Sequence, residues 1–422
     1  VQELLDDPDT IGLAEVMDYW GVIRQSPRIT NIVKVGRKRG VILTGHIRGL
    51  SGRELNTYLA AGIDSDHEQL SPQGILERTR LGMTVEIPCS MHRDSVAEAV
   101  ESWQQRGHLE GVVFVTDDIP PHELIDEGHL DRGVRRAIAL GMDPVDAVRA
   151  ASLVPARRLQ RHDLGFVAPG RTADLLVLSD LHSFRVHMTI AGGTIVAQSG
   201  AMVVPAESRC PPPEAAKSSV RLAPPTAEDF VVRGSGGQAL ARILTLRGRG
   251  LENRVLTLRD GALSWREDPD LALVAVWHRH GLNANRNAVL ISGTDLRAGA
   301  LATTYAHDSH NLVIVGRNEK DMATAARALI EAGGGYVAVL EGQVLALAAL
   351  PVAGILAQSP LDEVAQDFRA FIEAARRLGV LENPIGLLTS LPLPVVPRFR
   401  PTDLGLVDVE QQRVVPAFEF LG

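Results

Sequence analysis

The sequence predicts an α/β protein, on two observations. Short apolar runs alternate with amphipathic stretches across residues 11–118, the pattern of consecutive βα units. Three of those runs stop at a side chain that suits a divalent metal: GVILTGH ends on His46, AAGIDSDH on His67, and GVVFVTDD on Asp117 and Asp118. In βα repeats, catalytic groups sit at the C-terminal ends of parallel strands, where the loops converge on one face. Two imidazoles and a carboxylate delivered there point to a hydrolytic metal centre.

Strands are expected near 11–16, 41–45, 61–66, 83–88 and 111–116, with helices in SGRELNTYLAAG and DSVAEAVESWQQRG between them. Two further helices announce their starts. Ser71-Pro72 and Asp143-Pro144 each place a capping oxygen before a proline at the first helical position. Five strands do not close an eight-stranded barrel, so either the sheet is open or three strands belong to sequence outside this chain. From Leu164, LGFVAPGRTADLLVLSDLHSFRVHMTIAGGTIVAQSG changes to short strands broken by Pro-Gly and Gly-Gly, a small β-domain. Pro205, Pro211, Pro212, Pro213, Pro224 and Pro225 then rule out regular structure over most of a linker. Beyond it the pattern is mixed α and β. DMATAARALIEAGGG reads as a helix closed by glycines, and YVAVLEGQVLALAAL as a hairpin.

Composition narrows the classes. With 422 residues, 45% hydrophobic and 22% charged, the chain has room for two or three domains with their own cores. A net charge of −8 and a pI near 5.9 favour neither nucleic acid nor an anionic membrane as partner. No apolar run reaches the roughly 20 residues needed to span a bilayer. Cys89 and Cys210 alone cannot build a disulfide framework or a thiolate metal site, which suits a cytoplasmic protein. The chain opens VQELLDDPDT, without Met and without a signal-peptide pattern, and the expectation is that upstream sequence is missing.

Each candidate also has a plainer reading. His46, in TGHIRGLSG, is either a ligand or a loop histidine bonded to backbone. His67 lies among Asp64, Asp66 and Glu68, which either take its second N–H or form a solvated acidic loop. Asp117 and Asp118 close an apolar strand as metal ligand and proton acceptor, or Asp118 caps the helix beginning near Pro121. Glu15 ends the first strand, where a buried carboxylate needs a cation, or it pairs with one of Arg24, Lys34 and Lys38. His307 and His310 in AHDSHN are either substrate contacts or part of a hydrogen-bonded turn. GRGLENR and the glycines 333–335 lack the lysine-serine ending of a phosphate loop.

The segments IGLAEVMDYWGVI, LTGHIRGLSGRELNTYLAAGIDSDHE, FVTDDIPPHELIDEGHLD and LGFVAPGRTADLLVLSDL resemble bacterial adenine deaminases of the amidohydrolase superfamily. TTYAHDSHNLVIVGRNEKDMATAARALIEAGGG and LPVAGILAQSPLDEV resemble that family's additional C-terminal domain. The resemblance implies a partial TIM-like (β/α) barrel over 1–162, comprising strands four to eight. It further implies a small β-sandwich segment over 163–204, a Pro-rich linker over 205–226 and an α+β domain over 227–422. It implies two divalent metals, manganese or iron with zinc also suitable, bridged by a hydroxide that attacks C6 of adenine to give hypoxanthine and ammonia. Glu15, His46, His67 and Asp117 would be the ligands, Glu15 bridging and Asp117 also shuttling the proton. The implied partners are a purine substrate and a second copy of the chain in a dimer. Two departures stand out. The family's His-x-His after its first strand has no counterpart, so the chain by itself is expected to supply only part of the ligand set. After strand seven many members read Arg-Glu-Gly-Ser, where this chain has IPCSMHRDS around Cys89. The alternatives are another amidohydrolase acting on a cyclic amide or other aminopurine, and an inactive purine-binding homologue.

Overall fold

Parallel strands alternate with helices through the first part of the chain: β1 (Gly12–Val16), β2 (Ile42–Gly45), β3 (Ser65–Asp66), β4 (Thr84–Pro88) and β5 (Val112–Val115). The structure, a computed structural model, describes residues 1–422 other than 69, 91–93, 109, 206–210, 248–249 and 397. β1 pairs with β2, and β3, β4 and β5 pair in that order, all parallel. Asp64 N–H, donating to the Leu43 carbonyl at 3.4 Å, joins the two sets, so the strands follow chain order around an arc of a (β/α) barrel. β3 is shorter than the 61–66 expected. Ala61 still caps the preceding helix, and Gly62 turns with φ +99°, so pairing with β4 begins only at Ser65.

The helices begin where their caps predict. The Ser71 hydroxyl accepts Gly74 N–H at 3.2 Å ahead of Pro72–Arg80, and the Asp143 carboxylate accepts Val145 N–H at 2.9 Å ahead of Pro144–Ala151. Their apolar faces close on the strands. Val16, Val33, Leu43, Leu55 and Ile63 form one buried cluster under β1 and β2, and Ile75, Val85, Ile87, Val96, Ala99, Val112 and Phe114 form another under β4 and β5. Residues 163–204 carry a four-stranded antiparallel sheet, Leu175–Leu178, Val186–Ala191, Thr194–Gln198 and Ala201–Met202.

The chain divides into two compact units, Val1–Ser208 and Arg209–Gly422. A ten-stranded, mostly antiparallel sheet forms the centre of the second. Its strand Leu271–Trp277 explains itself. Alternate residues point to opposite faces, so Ala272, Val274 and Val276 meet Phe368, Phe371 and Ala375 of helix Leu361–Arg377. Leu273, Ala275 and Trp277 meet Met322, Ala326 and Leu329 of helix Glu319–Ala332 on the other side. A strand covered on both faces must be apolar throughout, which is why LALVAVW does not alternate.

The glycines 333–335 serve that sheet rather than a phosphate. Gly333, at φ +76°, stops the helix, and a Cβ on Gly335 would lie 2.1 Å from the Ala348 carbonyl of the hairpin partner. Of GRGLENR, the other glycine-bearing segment discounted as a phosphate loop, Gly248 and Arg249 fall outside the described residues, and Gly250–Arg259 is a strand. Among the described residues no helix is long and apolar enough to cross a membrane.

Candidate metal centre

Consecutive strands of the first unit deliver Glu15, His46 and His67 to one place. Glu15 is the penultimate residue of β1, His46 follows β2 and His67 follows β3. One ligand atom from each lies within 4.8 Å of the other two, the spacing of a metal-binding group. Glu15 turns its chain end with φ +48°, and its N–H donates to the Thr44 hydroxyl at 2.9 Å. A left-handed glutamate is strained backbone, the kind of feature that concentrates at functional sites. Gly45 lets β2 close on β3 beside His46. A Cβ there would sit 2.4 Å from the Ser65 carbonyl and 2.8 Å from the Tyr58 hydroxyl.

The hydrogen-bond partners orient both rings. His46 Nε2 lies 3.0 Å from Glu68 Oε1, which leaves Nδ1 facing His67 Nε2 at 2.9 Å. His67 Nδ1 lies 3.8 Å from Glu86 Oε2, and His67 Nε2 lies 3.7 Å from Glu15 Oε1. Each ring therefore turns one nitrogen to a carboxylate and the other to the shared point. With the outer nitrogens protonated, the inner lone pairs face each other across 2.9 Å beside a third carboxylate. That donor set suits a divalent cation: two imidazoles and a carboxylate oxygen inward, carboxylates behind to fix tautomer and raise basicity.

The surroundings were only partly foreseen. Glu15 is not buried, its side chain being 48% exposed, and its neighbour is the His67 ring rather than Arg24, Lys34 or Lys38. Asp64 pairs with Arg158 at 2.6 Å. Asp66 takes backbone N–H groups and Arg78 rather than an imidazole. Of that acidic trio only Glu68 backs a ring, and the ring is His46 rather than its neighbour His67. Glu86 was missed. Burial holds its carboxyl above the ordinary range, with His67 and then Arg158 pulling the other way. Its signal was available, as a glutamate in the middle of the apolar strand TVEIP.

Asp117 follows β5 at φ +56°, and its Oδ1 accepts the N–H of Asp118 at 2.8 Å. It is not drawn into the close group of Glu15, His46 and His67. Asp118 is exposed and does not cap the next helix, which starts at Pro121 with Pro120 as its N-cap. Cys89 is buried, its thiol donating to the Val115 carbonyl and pushed up to about 11 by burial. Met91, His92 and Arg93 of the IPCSMHRDS segment, and Cys210, lie outside the described residues.

His307 and His310 belong to the second unit, with ring centroids 5.8 Å apart and the Tyr305 ring 5.3 Å from each. His310 N–H donates to the Ala306 carbonyl at 2.7 Å, as a tight turn requires. Burial lowers the His310 pKa, with the His307 charge adding to it.

A group of side chains that could hold a cation, at the C-terminal ends of parallel barrel strands, has the layout of a metal-dependent hydrolase site, and the comparisons agree in class. Residues 2–196 match the model of the amidohydrolase family, and residues 250–413 match that of the adenine deaminase C-terminal domain. The chain is 37% identical to adenine deaminase of Klebsiella pneumoniae subsp. pneumoniae, over 98% of its own length and 70% of that protein's. It is 37% identical to that of Serratia proteamaculans, covering 98% of this chain and 71% of the relative. For Methylobacterium nodulans the figures are 39%, 97% and 72%. The chain belongs to the adenine deaminase family.

Proposed function

We propose that this protein hydrolyses adenine to hypoxanthine and ammonia at the centre formed by Glu15, His46 and His67. The observation that carries the reading is the convergence of those ligands from consecutive strand ends, within 4.8 Å of one another, in a chain whose relatives bear that activity by name. When bound, a divalent ion supplies the Lewis acidity that makes a nucleophile of water at neutral pH. The chain's own side chains supply the rest. Glu68 and Glu86 hold His46 and His67 with their inner nitrogens toward the ion. Asp117 accepts the proton of the attacking water and returns it to the departing amine, so that the C6–N bond breaks as the C6–O bond is completed. Its place at the end of β5, held in a left-handed conformation, supports that role. Manganese and iron both suit imidazole–carboxylate ligation, and so does zinc.

The test is ammonia release from adenine by the intact protein, stripped of metal and reloaded separately with manganese, iron(II) or zinc. Turnover restored by at least one ion, and abolished by His46→Ala, is the expected result. Turnover of a cyclic amide or another aminopurine in place of adenine would transfer the reading to a sister activity. Tight adenine binding without turnover under any ion would replace it with a binding role.

A further inference from the structure

Of the two carboxylates that flank His67 in sequence, Glu68 backs the His46 ring and Asp66 touches neither ring. Asp66 is fully buried, and its Oδ1 accepts Ile47 N–H at 3.0 Å and Glu68 N–H at 3.2 Å. Ile47 is the residue after His46, and Glu68 is the residue after His67. One carboxylate oxygen thus fixes the backbone immediately beyond each imidazole, on two loops that come from different strands. Its other oxygen accepts Nε of Arg78 at 2.7 Å. Arg78 is 1% exposed, rises from helix Pro72–Arg80, and donates to the Leu50 carbonyl at 3.3 Å. The His46 loop is therefore held at Ile47 by Asp66 and at Leu50 by Arg78.

Such a bracket has a task here. The two inward imidazole nitrogens are at hydrogen-bond distance, 2.9 Å; offering both lone pairs to a cation removes that hydrogen bond and sets the lone pairs against each other, and loops free to adjust would let them separate. A buried ion pair adds little net stability over an apolar pair of the same shape, so its presence calls for a reason other than stability. We propose that Asp66 and Arg78 are positioning residues that set the separation of His46 and His67 and thereby the affinity of the centre for a divalent ion. The proposal rests on reading Glu15, His46 and His67 as metal ligands.

The experiment uses the intact protein, stripped of metal and titrated with cobalt(II) against a chelating indicator, with the visible cobalt spectrum and the metal-free melting temperature recorded beside it. Asp66→Asn keeps the size and an acceptor oxygen but loses the charge opposite Arg78, and Arg78→Lys keeps the charge but loses the reach to Leu50. Both are expected to weaken cobalt binding about 10–100-fold, the range for residues that orient metal ligands, and to shift the cobalt bands. Val134→Ala, a core truncation on helix Leu130–Ala139 in the cluster under β4 and β5 rather than the one that holds Ile47 and Leu50, is expected to lower the melting temperature while leaving affinity and spectrum unchanged. Wild-type affinity and spectrum in folded Arg78→Lys would overturn the proposal. So would an equal loss of affinity in Val134→Ala, since the effect would then be general stability. If Asp66→Asn does not fold, Arg78→Lys decides alone. Wild-type affinity in His46→Ala is a different failure, because it removes the metal reading itself.

Discussion

The two histidine pairs that the sequence singles out, His46 with His67 and His307 with His310, differ in their surroundings in the one respect that matters to a cation. His46 and His67 stand among carboxylates: Glu68 behind the first ring, Glu86 behind the second and Glu15 beside both. His307 and His310 stand against the Tyr305 ring, with Asp308 at the edge of ion-pair range at 3.9 Å and itself 54% exposed. On the His310 side the charge is a cation, since buried Arg279 donates to the carbonyl of His310. Imidazole proximity is common to both pairs. Negative charge behind the rings is what distinguishes a metal-binding pair from a structural one.

The largest effect that would break this comparison is on bound metal. His46→Ala is expected to lose metal along with activity, and His307→Ala to keep its full metal content, both by elemental analysis of purified protein. Loss of metal from His307→Ala would mean that the second pair is also a metal site. Asp117→Asn comes next. It removes the carboxylate proposed to shuttle the proton but leaves the close group intact, so kcat for adenine should fall about 10²–10⁴-fold while metal falls little. Near-normal turnover would move the shuttle role to Asp118.

The third prediction sharpens the second pair's structural role. Among the described residues buried Arg279 has no carboxylate partner, and burial pushes its pKa down to about 10. Its guanidinium donates to the carbonyls of Ser219, Ala353 and His310. Arg279→Met strands those acceptors and is expected to destabilise the second unit by about 3 kcal/mol or more, at roughly 1 kcal/mol or more for each. Hydrogen exchange read by mass spectrometry would register it as faster exchange in 271–316. Unchanged exchange there would show that the turn is held by something else.

The smallest expected effect is on pH. Burial lowers the pKa of both His280 and His310, so each takes up its proton more readily in the unfolded chain. Their contribution to stability is present above the unfolded histidine value of about 6.5 and is lost as pH falls through the lower folded values. Denaturant midpoints for the second unit should accordingly drop on acidification below about pH 6.5. The drop should shrink in His310→Asn. A midpoint flat across that window would leave no differential protonation to account for.

Much of this was legible in one dimension. Period-two and period-3.6 patterning marks the strands and helices, Ser71-Pro72 and Asp143-Pro144 mark the helix starts, and His46 and His67 mark the strand ends. All of these depend on neighbours within a turn or two of chain, so local sequence determines them. What backs the imidazoles is another matter. Glu68 reaches His46 across 22 residues and Asp66 reaches Ile47 across 19, both through the adjacency of β2 and β3. Arg78 reads in sequence as one more charge on a solvated helix, and only the packing of that helix against both loops makes it buried. Backbone periodicity put the ligands at the strand ends. Which carboxylate faces which nitrogen was decided by the tertiary structure, because hydrogen-bond partners far apart in sequence are set by strand order and register.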